Sequence, residues 1–143
     1  IIYGCIYGLA IYLAGSAISA GLSMLFGFKA PEWFVEAMTP RSRGELALYL
    51  LALGPVTAIC EESFFRHFLQ KSLTDWIGPY GVLPASVIFG LLHAIPGAAW
   101  RVIPALAMGL LLGLGYYRRG LTFSSSAHMA SNCIAVALAY LVS

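Results

Sequence analysis

Glu61, Glu62 and Arg66 fall within six residues of one another in the stretch AICEESFFRHFL, inside an otherwise apolar segment. A carboxylate placed beside an imidazole can take a proton from water and return it to a leaving group, which is the chemistry of hydrolysis. Two histidines are available from other apolar segments. His93 closes FGLLH one helical turn after Phe89, and His128 opens HMASN one turn before Asn132. Glu62 and Arg66 are four residues apart, so they share a helical face and can form an internal ion pair. Glu61 lies about 100° further round the helix. It has no basic residue of its own one turn away, so its partner must come from another segment, and an un-neutralised carboxylate there invites proton or metal chemistry.

Each of these residues has a plainer reading when taken alone. Glu62 and Arg66 can be a purely architectural salt bridge, and a histidine on an apolar helix is commonly a packing residue. The joint pattern argues otherwise. An ionised side chain at mid-bilayer costs about 2.5–3.5 kcal/mol, yet two glutamates, an arginine, two histidines and an asparagine are concentrated in three segments that are otherwise almost bare of charge. His67, which follows Arg66 near the expected interface, is read as a surface residue or a support behind the site, without a catalytic role.

The elements that must position these groups follow from composition. Of 143 residues, 60% are hydrophobic and 10% charged, and the mean hydropathy is +0.85, which points to the bilayer as solvent. The net charge of +2, with scattered Lys and Arg, argues against nucleic acid as a partner. Cys5, Cys60 and Cys133 lie in apolar runs without metal-ligand spacing, so they read as small hydrophobes, Cys60 as a buried and unreactive thiol. Residues 1–28, 46–69, 81–95, 101–117 and 121–142 are apolar enough to be spans. The proline-bounded piece around Trp33, Phe34, Ala37 and Met38 reads as a short interfacial helix. Gly4 and Gly8, the series Gly15, Ser19, Ser23, Gly27, and the series Ala105, Gly109, Gly113 offer thin faces for close helix approach. Pro55, about two turns before Glu61, should bend the second span. The expected fold is all-α: one polytopic membrane helix bundle over residues 1–143, with about five transmembrane helices and the short interfacial helix. Residues 1–44 are accessory and 45–143 the catalytic core. No removable signal peptide is evident, and the chain reads as part of a longer polytopic protein.

EESFFR at Glu61–Arg66, FGLLH at Phe89–His93 and HMASN at His128–Asn132 together resemble the EExxxR, FxxxH and HxxxN/D motifs of the CAAX-protease and bacteriocin-processing family, also called the abortive-infection family of intramembrane proteases. The resemblance implies an intramembrane endopeptidase that hydrolyses a peptide bond near the C-terminus of a membrane-anchored or prenylated substrate. In that reading Glu61 and His93 activate a water, His128 and Asn132 stabilise the oxyanion, and Glu62 and Arg66, with Phe89, support them. A metal version would use Glu61, His93 and His128 as ligands for a divalent ion such as zinc, with the fourth position left to water. The HExxH spacing is absent, and the expectation leans toward no obligatory metal. The expected surroundings are membrane lipids, in a bacterial inner membrane. Two other classes compete: a proton-coupled transporter using the same buried Glu/His cluster, and a non-catalytic scaffold or immunity protein in which that cluster only fixes helix register.

Overall fold

Backbone polar groups inside a bilayer have to be satisfied within the segment that carries them, which leaves helices as the available solution for an apolar chain of this pattern. The computed structural model describes all 143 residues and is an all-α polytopic membrane bundle. Its helices are α1 (Ile2–Phe26), α2 (Glu32–Met38), α3 (Arg43–Leu51), α4 (Thr57–Glu62), α5 (Lys71–Ile77), α6 (Val82–Leu91), α7 (Val102–Arg119) and α8 (Leu121–Val142). Short α2 occupies the place expected of the interfacial helix.

Four helical runs, rather than five, are long and apolar enough to cross a membrane: Ile2–Phe26, Arg43–Leu91, Ala99–Arg119 and Leu121–Val142. The difference arises because the expected second and third spans belong to one run, and α6, its last part, has only 10 residues. At about 1.5 Å per residue that is about 15 Å, half of a hydrocarbon core. The run turns back on itself at Gly78, whose φ of 66° and ψ of −151° suit a residue without a Cβ. Gly81 completes the turn by lying against the backbone of Leu73 and Thr74. α6 then packs against the stretch Ser63–Gln70 and along α7.

Small residues set the helix spacing. A Cβ on Gly8 would stand 2.3 Å from Ala127 O, and one on Gly4 would collide with Ser126, so α1 and α8 touch backbone to backbone. Gly90 meets Leu106, while Gly109 meets Ser86 and Phe89, joining α6 to α7 in the same way. The series beginning at Gly15 does not serve this purpose. Gly15 has no neighbour within 4 Å, and Ser23 and Gly27 are exposed. Only the first half of α1 is covered by the bundle.

Apolar and polar residues are distributed as a bilayer requires. Leu48, Leu51, Ile59, Phe64 and Phe68 face outward, whereas Glu62, Arg66, Gln70, Ser86 and His128 are buried. Cys60 is exposed on this outer surface, contrary to its expected burial, because the face turned inward at that point is used by Ala58 and Glu62. Basic residues gather toward two ends. Trp100 Nε1 donates to Lys29 O at 3.4 Å and the Arg101 guanidinium lies 4.3 Å over the Phe34 ring at one end. His67, exposed as expected, meets Tyr116 at the other.

Candidate active site

The segment bearing the two glutamates is wound differently from its neighbours. α4 is flanked by wide, π-helical stretches at Ala52–Val56 and Ser63–Gln70, a form that is uncommon and recurs at functional sites. The first contains Pro55, which cannot donate a backbone hydrogen bond and clashes with a regular turn; the expected bend is therefore realised as a widened turn. Thr57 N–H reaches back five residues to Ala52 O. Leu53 O in this stretch accepts a 2.7 Å hydrogen bond from Asn132 Nδ2 on α8. One N–H of the Asn132 amide is thereby committed to holding the helix, and the other is left over.

Glu62, at the end of α4, and Arg66 and Gln70 of the second stretch are each fully buried. Arg66 Nε donates to Glu62 Oε2 at 3.2 Å, the ion pair anticipated from their spacing. The other oxygen, Glu62 Oε1, accepts from His128 Nδ1 at 3.1 Å. A carboxylate can only accept, so the His128 proton on this side sits on Nδ1, and Nε2 is directed away from Glu62. On that side Nε2 lies 3.9 Å from Glu61 Oε2, beyond a direct hydrogen bond. Glu61 Oε2 is itself buried without a hydrogen-bond partner, while the side chain as a whole is 30% exposed. The carboxylate of Glu61 thus turns one oxygen into the bundle, and the imidazole beside it, that of His128, belongs to another helix.

Phe89 joins the three motifs physically. Its fully buried ring stands 4.4 Å from the His93 ring, 6.2 Å from the His128 ring and 4.9 Å from the Arg66 guanidinium carbon. Phe65 packs edge-on against it at 5.0 Å. His93 is not within the body of the third apolar helix, as its pattern implied; it lies just beyond the end of α6. The chain leaves the helix there because Pro96 and Gly97 (φ 80°) follow, and His93 Nδ1, 2.8 Å from Phe89 O, donates to a carbonyl of the last turn. Both histidines therefore have Nδ1 occupied and Nε2 free.

The conditional ligand set does not assemble. No group of three or more His, Cys, Asp or Glu side chains is placed to hold a metal ion, so Glu61, His93 and His128 as positioned do not fit one, and no step below passes through a metal.

Gln70, one residue beyond the apolar segment 46–69, is part of this interior. Its Nε2 donates to Gly113 O at 2.9 Å, tying the glutamate-bearing run to α7. The signal was present: Gln70 follows Arg66 by four residues, just as Arg66 follows Glu62. Gly113, from the small-residue series of α7, leaves the space this side chain fills, since a Cβ there would be 2.7 Å from Gln70 Oε1.

No curated protein and no solved structure matches the chain significantly. The family model of the type II CAAX prenyl endopeptidase Rce1-like proteins matches residues 43–134, a region that starts with α3 and ends within α8 and contains every residue of the Glu/His/Arg/Asn cluster. With that match covering more than half of its length, the chain belongs to the type II CAAX prenyl endopeptidase Rce1-like family.

Proposed function

We propose that the chain is an intramembrane endopeptidase that cleaves near the C-terminus of a membrane-anchored or prenylated peptide by means of a Glu/His-activated water. The observation that carries this reading is the state of Glu61: a carboxylate oxygen buried without a partner, 3.9 Å from an imidazole nitrogen whose ring is fixed from behind by Glu62 and Arg66.

Hydrolysis needs a proton acceptor, a held water and donors for the oxyanion. Glu61 takes the proton from the water as it attacks the scissile carbonyl carbon, and later delivers it to the leaving amine. His93, whose Nδ1–H is used on Phe89 O, offers the Nε2 lone pair that holds the same water. His128, held between Glu62 and Glu61, presents its Nε2 edge on the Glu61 side, and an Nε2–H there and the second N–H of Asn132 are the donors for the oxyanion. Loss of one such donor costs about 2.7–4 kcal/mol in the transition state. Glu62 and Arg66 do not touch substrate; they set the tautomer and angle of His128, much as outer partners orient metal-bound histidines.

The test is to incubate the purified protein with a library of prenylated and transmembrane C-terminal peptides, comparing native protein with Glu61→Ala and His93→Ala. Cleavage lost in both variants supports the reading. A Glu61-dependent proton flux without any cleavage would replace it with the transporter. Chelator sensitivity in the same assay decides on the metal.

A further inference from the structure

The start of α1, the end of α7 and the start of α8 enclose a groove of about 570 Å³, and seven of its ten lining residues are hydrophobic. Ile6 and Ala10 of α1 and Leu111 and Leu114 of α7 form its walls. Tyr7 contributes only its ring, because its hydroxyl already donates to Leu111 O at 3.1 Å. Arg118 and Arg119 stand at one end of this apolar channel. The Arg119 guanidinium is held 5.4 Å over the Phe123 ring, and neither arginine belongs to any of the four ion pairs in the chain.

The acidic residues are all engaged or placed elsewhere. Glu61 and Glu62 face His128, Asp75 pairs with Lys71, and Glu32, Glu36 and Glu45 belong to α2 and α3. The mouth of the groove is therefore positive with no internal counter-charge. A further apolar helix laid into it would cover the walls and leave both guanidinium groups unpaired, at a cost. A molecule with an anionic head and a hydrocarbon tail satisfies both parts. Basic pockets between transmembrane helices recognise lipid headgroups on this principle.

We infer that this groove is a binding site for an anionic glycerophospholipid, with its phosphate between Arg118 and Arg119 and an acyl chain lying along α1 and α7. The site is separate from the Glu61 cluster and does not depend on the proteolytic reading.

Native mass spectrometry of the protein released from detergent micelles tests it, using phosphatidylglycerol and phosphatidylcholine with identical acyl chains. One phosphatidylglycerol should stay bound at collision energies that strip phosphatidylcholine. At about 1 kcal/mol per basic residue, Arg118→Gln with Arg119→Gln should weaken phosphatidylglycerol binding about 30-fold and erase the preference. Ala10→Trp, which fills the channel, should lower occupancy by both lipids; Leu114→Trp serves if that variant fails to fold. Equal retention of the two lipids by the native protein overturns the inference, as does a preference that survives loss of the arginine pair or an occupancy that the filled channel leaves unchanged. A dimer that disappears on Ala10→Trp would also overturn it, by assigning the groove to a second copy.

Discussion

Glu62 on α4 and His128 on α8 are joined by a 3.1 Å hydrogen bond between Oε1 and Nδ1, with the Glu62 side chain fully buried and that of His128 nearly so. The bond links a residue of EESFFR to the first residue of HMASN across 66 positions of sequence. Because Arg66 occupies the other oxygen of Glu62, the carboxylate has no freedom to turn, and the imidazole inherits that rigidity. Side chains held by others in this way are what a preorganised site requires.

Glu62→Gln should separate the two duties of this residue. An amide keeps the size and one acceptor but removes the charge facing Arg66, leaving a buried guanidinium uncompensated. Truncating one partner of a buried pair typically costs about 3–5 kcal/mol. The variant should unfold at lower temperature in detergent, and its cleavage rate should drop at least tenfold with substrate affinity nearly unchanged. Circular dichroism melts and a kcat/KM split check both.

Arg66→Lys, conservative in charge, should behave poorly. Lysine supplies a point charge in place of the planar group that now donates to Glu62 and lies over the Phe89 ring, and the two side chains are not interchangeable at such a site. Activity should fall and should not be restored by raising the substrate concentration. Native-like turnover in Arg66→Lys would show that the planar group contributes nothing beyond its charge.

Phe89→Ala should cost about 3–5 kcal/mol of stability, the range for emptying an aromatic site in a core. The milder Phe89→Leu keeps most of the volume and loses the ring that stands against both histidines. For Phe89→Leu the expected result is a folded protein with reduced kcat, measured by peptide cleavage at saturating substrate.

Gly8→Leu should disrupt the bundle from a residue outside the three motifs. Its Cβ would enter the 2.3 Å space before Ala127 O, and a helical carbonyl cannot move aside without displacing α8, which carries His128 and Asn132. Gly15→Leu, with open space around it, should be neutral. Thermal unfolding of the two variants side by side provides the comparison.

Much of the site was legible because membrane burial makes charge conspicuous: Glu61, Glu62 and Arg66 stood out against an apolar background, and helical spacing alone paired Glu62 with Arg66. Spacing could not show that His128 reaches back to Glu62, since that contact depends on how α8 crosses α4. It could not place His93 either, because α6 ends at Leu91, four residues before the apolar segment does at Ile95. The second and third apolar segments merge into one helical run for a related reason. Hydropathy records that Val82–Ile95 is apolar, but Pro96 and the turn at Gly78 decide how much of it is helix. Gln70 is hard to read because a glutamine at the end of an apolar run carries, beyond its spacing from Arg66, no signal of its own burial, and only the glycine opposite it, on α7, reveals the room it needs.

The central claim is that Glu61 acts as the base on a held water, and single-turnover cleavage by Glu61→Gln measures it most directly. The amide preserves shape, removes the proton acceptor and places no new charge in the membrane. General bases contribute about 10²–10⁴-fold, so the rate should fall by at least 10²-fold while peptide binding stays within about threefold of native, the amide leaving the contacts that hold substrate in place. Cleavage by Glu61→Gln at the native rate would contradict the account.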